Sequence, residues 1–276
     1  MCELFGLASR LPTDVNLSMR ILARHGSRAQ HLGDGWGVAF HAGDDALLIK
    51  QPTALEESAW IGFLERQHVR SRMVLAHIRH ATQGEVSLRN TQPFVRELGG
   101  RTHVFAHNGN LRGIEQRFGG AAARFRPVGT TDSEYAFCLL MDRLAPLWAS
   151  GTIPSEQART AVISGLAADL RPLGPANFLY TDGHLLFAHG HRRTQSDGTI
   201  APPGLTMLTR SCATDPDALS DAGVGLRDHQ AVTLFASVAL TRESWRPLEE
   251  GEIVVASTGE TAASPLAFAG DTHGIQ

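Results

Sequence analysis

Cys2 stands directly after the initiator methionine, in "MCELFG". If the methionine is removed, a single residue carries a thiol of ordinary pKa about 8.5 and a free α-amine of ordinary pKa about 7.7–8.0. Nucleophile and base then share that residue. The amine titrates close to the working pH, so it accepts the thiol proton, directly or through a water, and returns it to a leaving group. Cysteine is small, and small second residues are the ones that permit methionine excision. Three further segments carry polar residues suited to a site: "AHIRHATQG" (76–84), "FAHNGNL" (105–111) and "GTTDSE" (129–134). Each has a plain structural reading on its own. An Arg ending an apolar strand is ordinarily a surface residue, Asn-Gly a turn, and an Asp opening a helix a cap.

Together and in this order, the four segments resemble the class II glutamine amidotransferases, members of the N-terminal-nucleophile hydrolase superfamily. That family's pattern has an N-terminal Cys, an H-x-R-x-A-T strand, an H-N-G segment and a T-D-x-E segment. The flanking "NTQPF" (90–94) and "DGWGVAF" (34–40) are similar to its small stand-alone bacterial branch. The resemblance runs from Cys2 through Phe137 and more diffusely to about residue 257. It implies an α+β fold, a four-layer αββα sandwich of two stacked antiparallel sheets flanked by helices. A single glutamine amidotransferase domain would span 1–276, with its core motifs in 2–137 and a C-terminal portion to about 257 completing the sandwich.

The implied reaction is release of ammonia from the glutamine side-chain amide through a γ-glutamyl thioester at Cys2. Negative charge builds on the attacked carbonyl oxygen, and by resemblance the Asn108 side chain and the Gly109 backbone N–H form the oxyanion hole. One such donor is worth about 2.7–4 kcal/mol of transition-state stabilisation. Glycine at 109 suits a close backbone approach. The family assigns the glutamine α-carboxylate to Arg79, whose two parallel N–H donors lysine cannot reproduce, and the α-ammonium to Asp132. Thr82 and Gln83 fall where neighbouring substrate contacts are expected, and His80 stands where Trp or Tyr is more familiar, altering the pocket wall. Trp36 and Gly37 fit a turn entering a strand beside the nucleophile; a core tryptophan in a hairpin is an equally economical reading. The substrate is glutamine or another γ-glutamyl amide, with a separate synthase as the ammonia acceptor. A non-catalytic binding or regulatory module that keeps the fold and recognises glutamine or a partner is the rival reading.

Composition excludes little else. The formal charge of −3 on 276 residues gives no attraction for nucleic acid or anionic membrane. Three cysteines without a CxxC pair fit a reducing compartment, and a cytoplasmic location follows by default, with no apolar run of membrane-spanning length. No cofactor is called for: there is no phosphate-binding loop, and the pairs His77/His80 and His189/His191 lack the carboxylates or cysteines of a metal site. Cys138, inside "EYAFCLLM", reads as a packing residue.

The elements that must position these residues are legible from periodicity. Apolar β-rich runs recur, from "CELFGLA" and "GWGVAFHA" to "AVTLFASVAL" and "EIVVAS", and Asp182-Gly183 inside "YTDGHLLF" marks a hairpin. Helical spacing appears over 14–29, 55–66, 132–147 and 155–170, with Thr131 or Asp132 capping the third. Residues 194–204 read as a long loop. Helices in pairs and strands in consecutive hairpins argue for antiparallel sheets covered by helices.

Overall fold

The computed structural model describes residues 2–15, 34–55, 58–67, 69–80, 84–119, 124–195, 197–211, 224–225 and 231–259. Its strands are β1 (Glu3–Val15), β2 (Gly35–Ala42), β3 (Asp45–Gln51), β4 (Arg70–Arg79), β5 (Phe94–Leu98), β6 (Arg101–Gly109), β7 (Ala176–Thr181) and β8 (Leu185–His189). There follow β9 (Arg193–Thr194), β10 (Ile200–Ala201), β11 (Thr206–Ser211), β12 (Val224–Gly225), β13 (Ala231–Ala236), β14 (Arg246–Pro247) and β15 (Ile253–Ser257). The helices are α1 (Ala59–Gln67), α2 (Ile114–Phe118), α3 (Asp132–Trp148) and α4 (Glu156–Leu170).

Two antiparallel sheets form the middle of the molecule. The first runs β14-β11-β13-β1-β4-β2-β3, with β12 also pairing β1; the second runs β15-β8-β7-β6-β5. Strand alternation divides the apolar residues into three cores. Leu4 and Ala8 of β1, Leu75 of β4, Ala106 of β6 and Leu179 of β7 fill the space between the sheets. Phe5, Trp36, Val74 and Ile78 face outward from the first sheet and are covered by Ile61 and Leu64 of α1. Phe105, Phe178 and Phe187 face outward from the second sheet and meet Phe137, Leu140, Ile163 and Leu166 of α3 and α4. The result is the four-layer αββα sandwich, with each fully buried Leu, Ile or Phe contributing about 1.5–3 kcal/mol.

Local chemistry fixes the junctions. The Thr131 hydroxyl accepts from Glu134 N–H at 3.3 Å and caps α3, while Ser155 caps α4 by accepting from Ala158 N–H at 3.2 Å. The hairpin turn between β7 and β8 is held by Asp182, whose carboxylate accepts from the N–H groups of His184 and Leu185, both at 3.0 Å. Arg159 of α4 reaches the same carboxylate at 2.5 Å, clamping helix layer to sheet.

Two expectations change. The spacing predicts a helix over 14–29, yet Asp14 and Val15 close β1, pairing with Gly225 and Val224, and the rest of that segment lies outside the described residues. The loop read at 194–204 contains a small ladder, Thr194 to Ile200 and Arg193 to Ala201, held where the Gln195 side chain donates to the Ala201 carbonyl at 2.6 Å.

Candidate active site

Cys2 precedes the central strand β1, and the alternation that turns Leu4 and Ala8 inward carries Cys2 to the same side. By the same count His77 and Arg79 of β4 and Asn108 of β6 share the interlayer side with Leu75 and Ala106. Nucleophile candidate and Asn-Gly segment therefore come from different sheets and meet at one end of the interlayer space. The Asn108 Nδ2 donates to the Cys2 carbonyl at 2.6 Å. The Cys2 sulfur accepts from His80 N–H at 3.2 Å and its thiol points to the His80 carbonyl at 3.4 Å. Burial of the partly exposed Cys2 raises its thiol pKa, and the His80 N–H pulls it the other way.

Four side chains that carry no sequence signature hold this junction. The Ser237 hydroxyl, after β13, accepts from Leu4 N–H at 3.0 Å and from Asn108 Nδ2 at 3.4 Å, while Ser237 N–H donates to the Leu4 carbonyl at 3.1 Å. Glu3, fully buried, pairs with Arg193 at 3.1 Å; burial raises its pKa and the guanidinium opposes that. Arg193 also donates to the Ser237 carbonyl. Asn177 of β7 donates to the Asn108 carbonyl at 3.1 Å and to the Arg192 carbonyl at 2.7 Å, and accepts from His191 N–H at 2.7 Å. These bonds leave the backbone around Cys2 and Asn108 little freedom.

Gly109 sits where a side chain has no room: a Cβ there would lie 1.8 Å from the Pro175 carbonyl oxygen and 2.7 Å from His107 Nε2. Gln92, within the "NTQPF" segment, grips the neighbouring peptide by donating to the His107 carbonyl at 3.1 Å and accepting from His107 N–H at 2.7 Å. Gly37 permits that grip, since its Cβ would fall 2.4 Å from the Gln92 carbonyl oxygen. Trp36 points the opposite way, into the outer core beside Phe5 and Val38. It is a packing residue, as the core reading had it. Cys138 is also fully buried, its thiol raised to about 11 chiefly by burial.

Asp132, the first residue of α3, accepts from Leu111 N–H at 2.6 Å, two residues beyond Gly109, and from Ser133 N–H at 2.8 Å. Arg79 is buried at the end of β4, and its guanidinium donates to the Glu85 carbonyl at 3.1 Å and the Gly84 carbonyl at 3.3 Å. Thr82 and Gln83 lie outside the described residues. A cleft of about 740 Å³ opens at Cys2 and is lined by His80, Asn108, Gly109 and Asn110, and also by Arg112, Arg171, Arg192 and Arg193. Arg79 and Asp132 do not line that cleft.

The stacked antiparallel sheets, with a cysteine at the head of a central strand, define an N-terminal-nucleophile type of fold. The chain aligns with a crystal structure of a predicted glutamine amidotransferase from Pseudomonas aeruginosa PA01, with a TM-score of 0.64 and 30% identity over 94% of this chain and 98% of that one. It also shares the fold of the glutamine phosphoribosylpyrophosphate amidotransferase from B. subtilis, with a TM-score of 0.58 and 18% identity over 97% of this chain and 48% of that chain. Among curated relatives, YafJ of Escherichia coli (strain K12) is 35% identical over 94% of this chain and 99% of its own length. The family model described as "Glutamine amidotransferases class-II" matches residues 1–270. The chain belongs to the class II glutamine amidotransferases, a family of enzymes. Among the described residues no helix is long and apolar enough to cross a membrane.

Proposed function

We propose that the protein is a cysteine-dependent glutaminase that releases ammonia from the glutamine side-chain amide through a γ-glutamyl thioester. After removal of Met1, the Cys2 α-amine takes the thiol proton and the thiolate attacks the amide carbon. Charge developing on the carbonyl oxygen is met by Asn108 and by the Gly109 N–H. The Asn108 amide has two N–H donors. One is engaged by the Cys2 carbonyl at 2.6 Å, and the other, now at 3.4 Å from the Ser237 hydroxyl, is the weaker contact to exchange for substrate. Collapse of the intermediate breaks the carbon–nitrogen bond, ammonia leaves with the proton held by the amine, and water then hydrolyses the thioester to glutamate. Arg79 and Asp132 take the α-carboxylate and α-ammonium of glutamine, the guanidinium through paired N–H donors and the carboxylate as acceptor.

The observation that carries this reading is the meeting of Cys2 and Asn108, 106 residues apart in sequence, across the mouth of one cleft. The test is glutamate release by protein whose intact mass shows Met1 removed, compared with Cys2→Ala and Cys2→Ser. Both variants are expected to lose activity at least a thousandfold, consistent with removing a nucleophile. Undiminished glutaminase activity in Cys2→Ala would refute the mechanism.

A further inference from the structure

Glu3, next in the chain after Cys2, is a carboxylate where the fold has no ready place for one. It opens the central strand β1, fully buried, and the residues after it, Leu4 and Phe5, fill two different apolar cores. Taking a carboxylate out of water is costly unless its oxygens are matched by donors or a cation. Only half of that is met. Oε1 pairs with Arg193 at 3.1 Å, whereas the buried Oε2 has no hydrogen-bond partner among the described residues. Burial pushes the Glu3 carboxyl up; Arg193, the positive charge at the start of the chain and the Ser237 hydroxyl oppose that. The pair also touches the reacting group from two sides. Burial raises the Cys2 thiol and the Glu3 charge adds to that, while Arg193 lines the cleft at Cys2 and donates to the Ser237 carbonyl. The other charged or titratable groups around Cys2 are Arg79 and His80 at the end of β4, with Arg112, Arg171, Arg192 and His191 on the cleft wall. Burial lowers both histidines, so neither adds charge at neutral pH.

Proton transfer at Cys2 creates the partner that Oε2 lacks. Once Met1 is removed, a single peptide unit separates the residue bearing the α-amine from Glu3, with their Cα atoms about 3.8 Å apart. When the amine takes the thiol proton it becomes an ammonium, a cation with N–H donors. A buried thiol is a weak acid, and an amine of ordinary pKa about 7.7–8.0 is poorly matched to it. A carboxylate beside the amine narrows that gap by favouring the protonated form. We propose that Glu3 is a positioning residue for the reaction: its buried Oε2 accepts from the Cys2 α-ammonium, fixing the amine against the thiol and making it a stronger base, while Arg193 holds the other oxygen. The inference rests on the Cys2 reading above and concerns how its base is held. The proton passes from sulfur to nitrogen and then to the departing ammonia; Glu3 itself neither gains nor loses one.

The experiment uses protein whose intact mass shows Met1 removed, as wild type, Glu3→Gln, Glu3→Asp and the charge-neutral double variant Glu3→Gln/Arg193→Gln. Two pH profiles are read for each, from about pH 5.5 to about pH 10. One is kcat/KM for glutamine; the other is the rate of iodoacetamide alkylation at Cys2, which needs no turnover. Loss of the nearby negative charge lowers the pKa of both amine and thiol, so the acid limb of each profile in Glu3→Gln is expected about 0.5–1 pH unit below that of wild type. On the plateau kcat should fall about tenfold, because the amine is a weaker base, with KM within about threefold. Glu3→Asp keeps the charge and is expected to hold the wild-type limb. The double variant leaves no buried charge unpaired, so it reads the shift even if Glu3→Gln does not fold. Its limb moves the same way, since of the pair it is the Glu3 charge that acts on the Cys2 thiol. A purely structural role would lower activity by one factor at every pH and leave both limbs in place, and that result would overturn the inference. Alkylation that shifts as expected while no form turns over glutamine would instead refute the glutaminase reading, so the two failures are distinguishable.

Discussion

Gly109→Ala tests whether the Asn-Gly segment works through a close backbone approach. The new methyl carbon would begin 1.8 Å from the Pro175 carbonyl oxygen and 2.6 Å from its carbon, both backbone atoms that no rotamer change can move. To reach even 3.0 Å, the oxygen must retreat by roughly 1.2 Å, and Gly109 must separate from Ala176, its partner across β6 and β7. The N–H proposed to meet the developing oxyanion moves with it. A displacement of about 1 Å at a reacting centre costs on the order of 100-fold, and loss of one such donor about 2.7–4 kcal/mol, or 100- to 1000-fold in kcat. Stability should fall by about 1–3 kcal/mol from overpacking. The assay is glutamate release together with urea unfolding. Gly165→Ala serves as the control, since a Cβ there meets nothing within 4 Å; it should leave activity unchanged and gain up to about 1 kcal/mol in helix α4. If Gly109→Ala kept activity within threefold of wild type at any stability, the argument from close approach would be wrong.

Ser237→Ala removes the hydroxyl that accepts from Leu4 N–H and Asn108 Nδ2, leaving a buried N–H without its partner, so stability should drop by about 1–3 kcal/mol. Its kcat should fall with little change in KM, and an unaltered kcat would argue against Ser237 as a positioning residue. Acid should destabilise the fold through its buried histidines. Burial lowers His77 to about 3, and His41 and His189 to about 4, so between pH 6.5 and those values the unfolded chain binds more protons and stability declines as pH falls. At pH 5 each of the three contributes about 2 kcal/mol of lost stability relative to neutral pH. Urea midpoints at pH 7 and pH 5 check this, and a flat profile would refute the assigned protonation states.

Much of the architecture was legible in the order of residues, because periodicity reports local structure. The apolar alternation of "GWGVAFHA" and "HVFAHNG" became β2 and β6, the helical spacing at 132–147 became α3 with Thr131 as its cap, and Asp182-Gly183 became a hairpin turn. The order of Cys2, Arg79, Asn108-Gly109 and Asp132 named the family that the comparisons bear out. What lies across from each of these residues came from the packing of the folded chain alone. Ser237 meets Asn108 from 129 residues away, Arg193 meets Glu3 from 190, and the arginines of the cleft come from three separate segments. No spacing rule records such meetings. They arise because two independently twisted sheets stack and bring their strand ends together, and register across a stack is set by packing, not by neighbours in the chain.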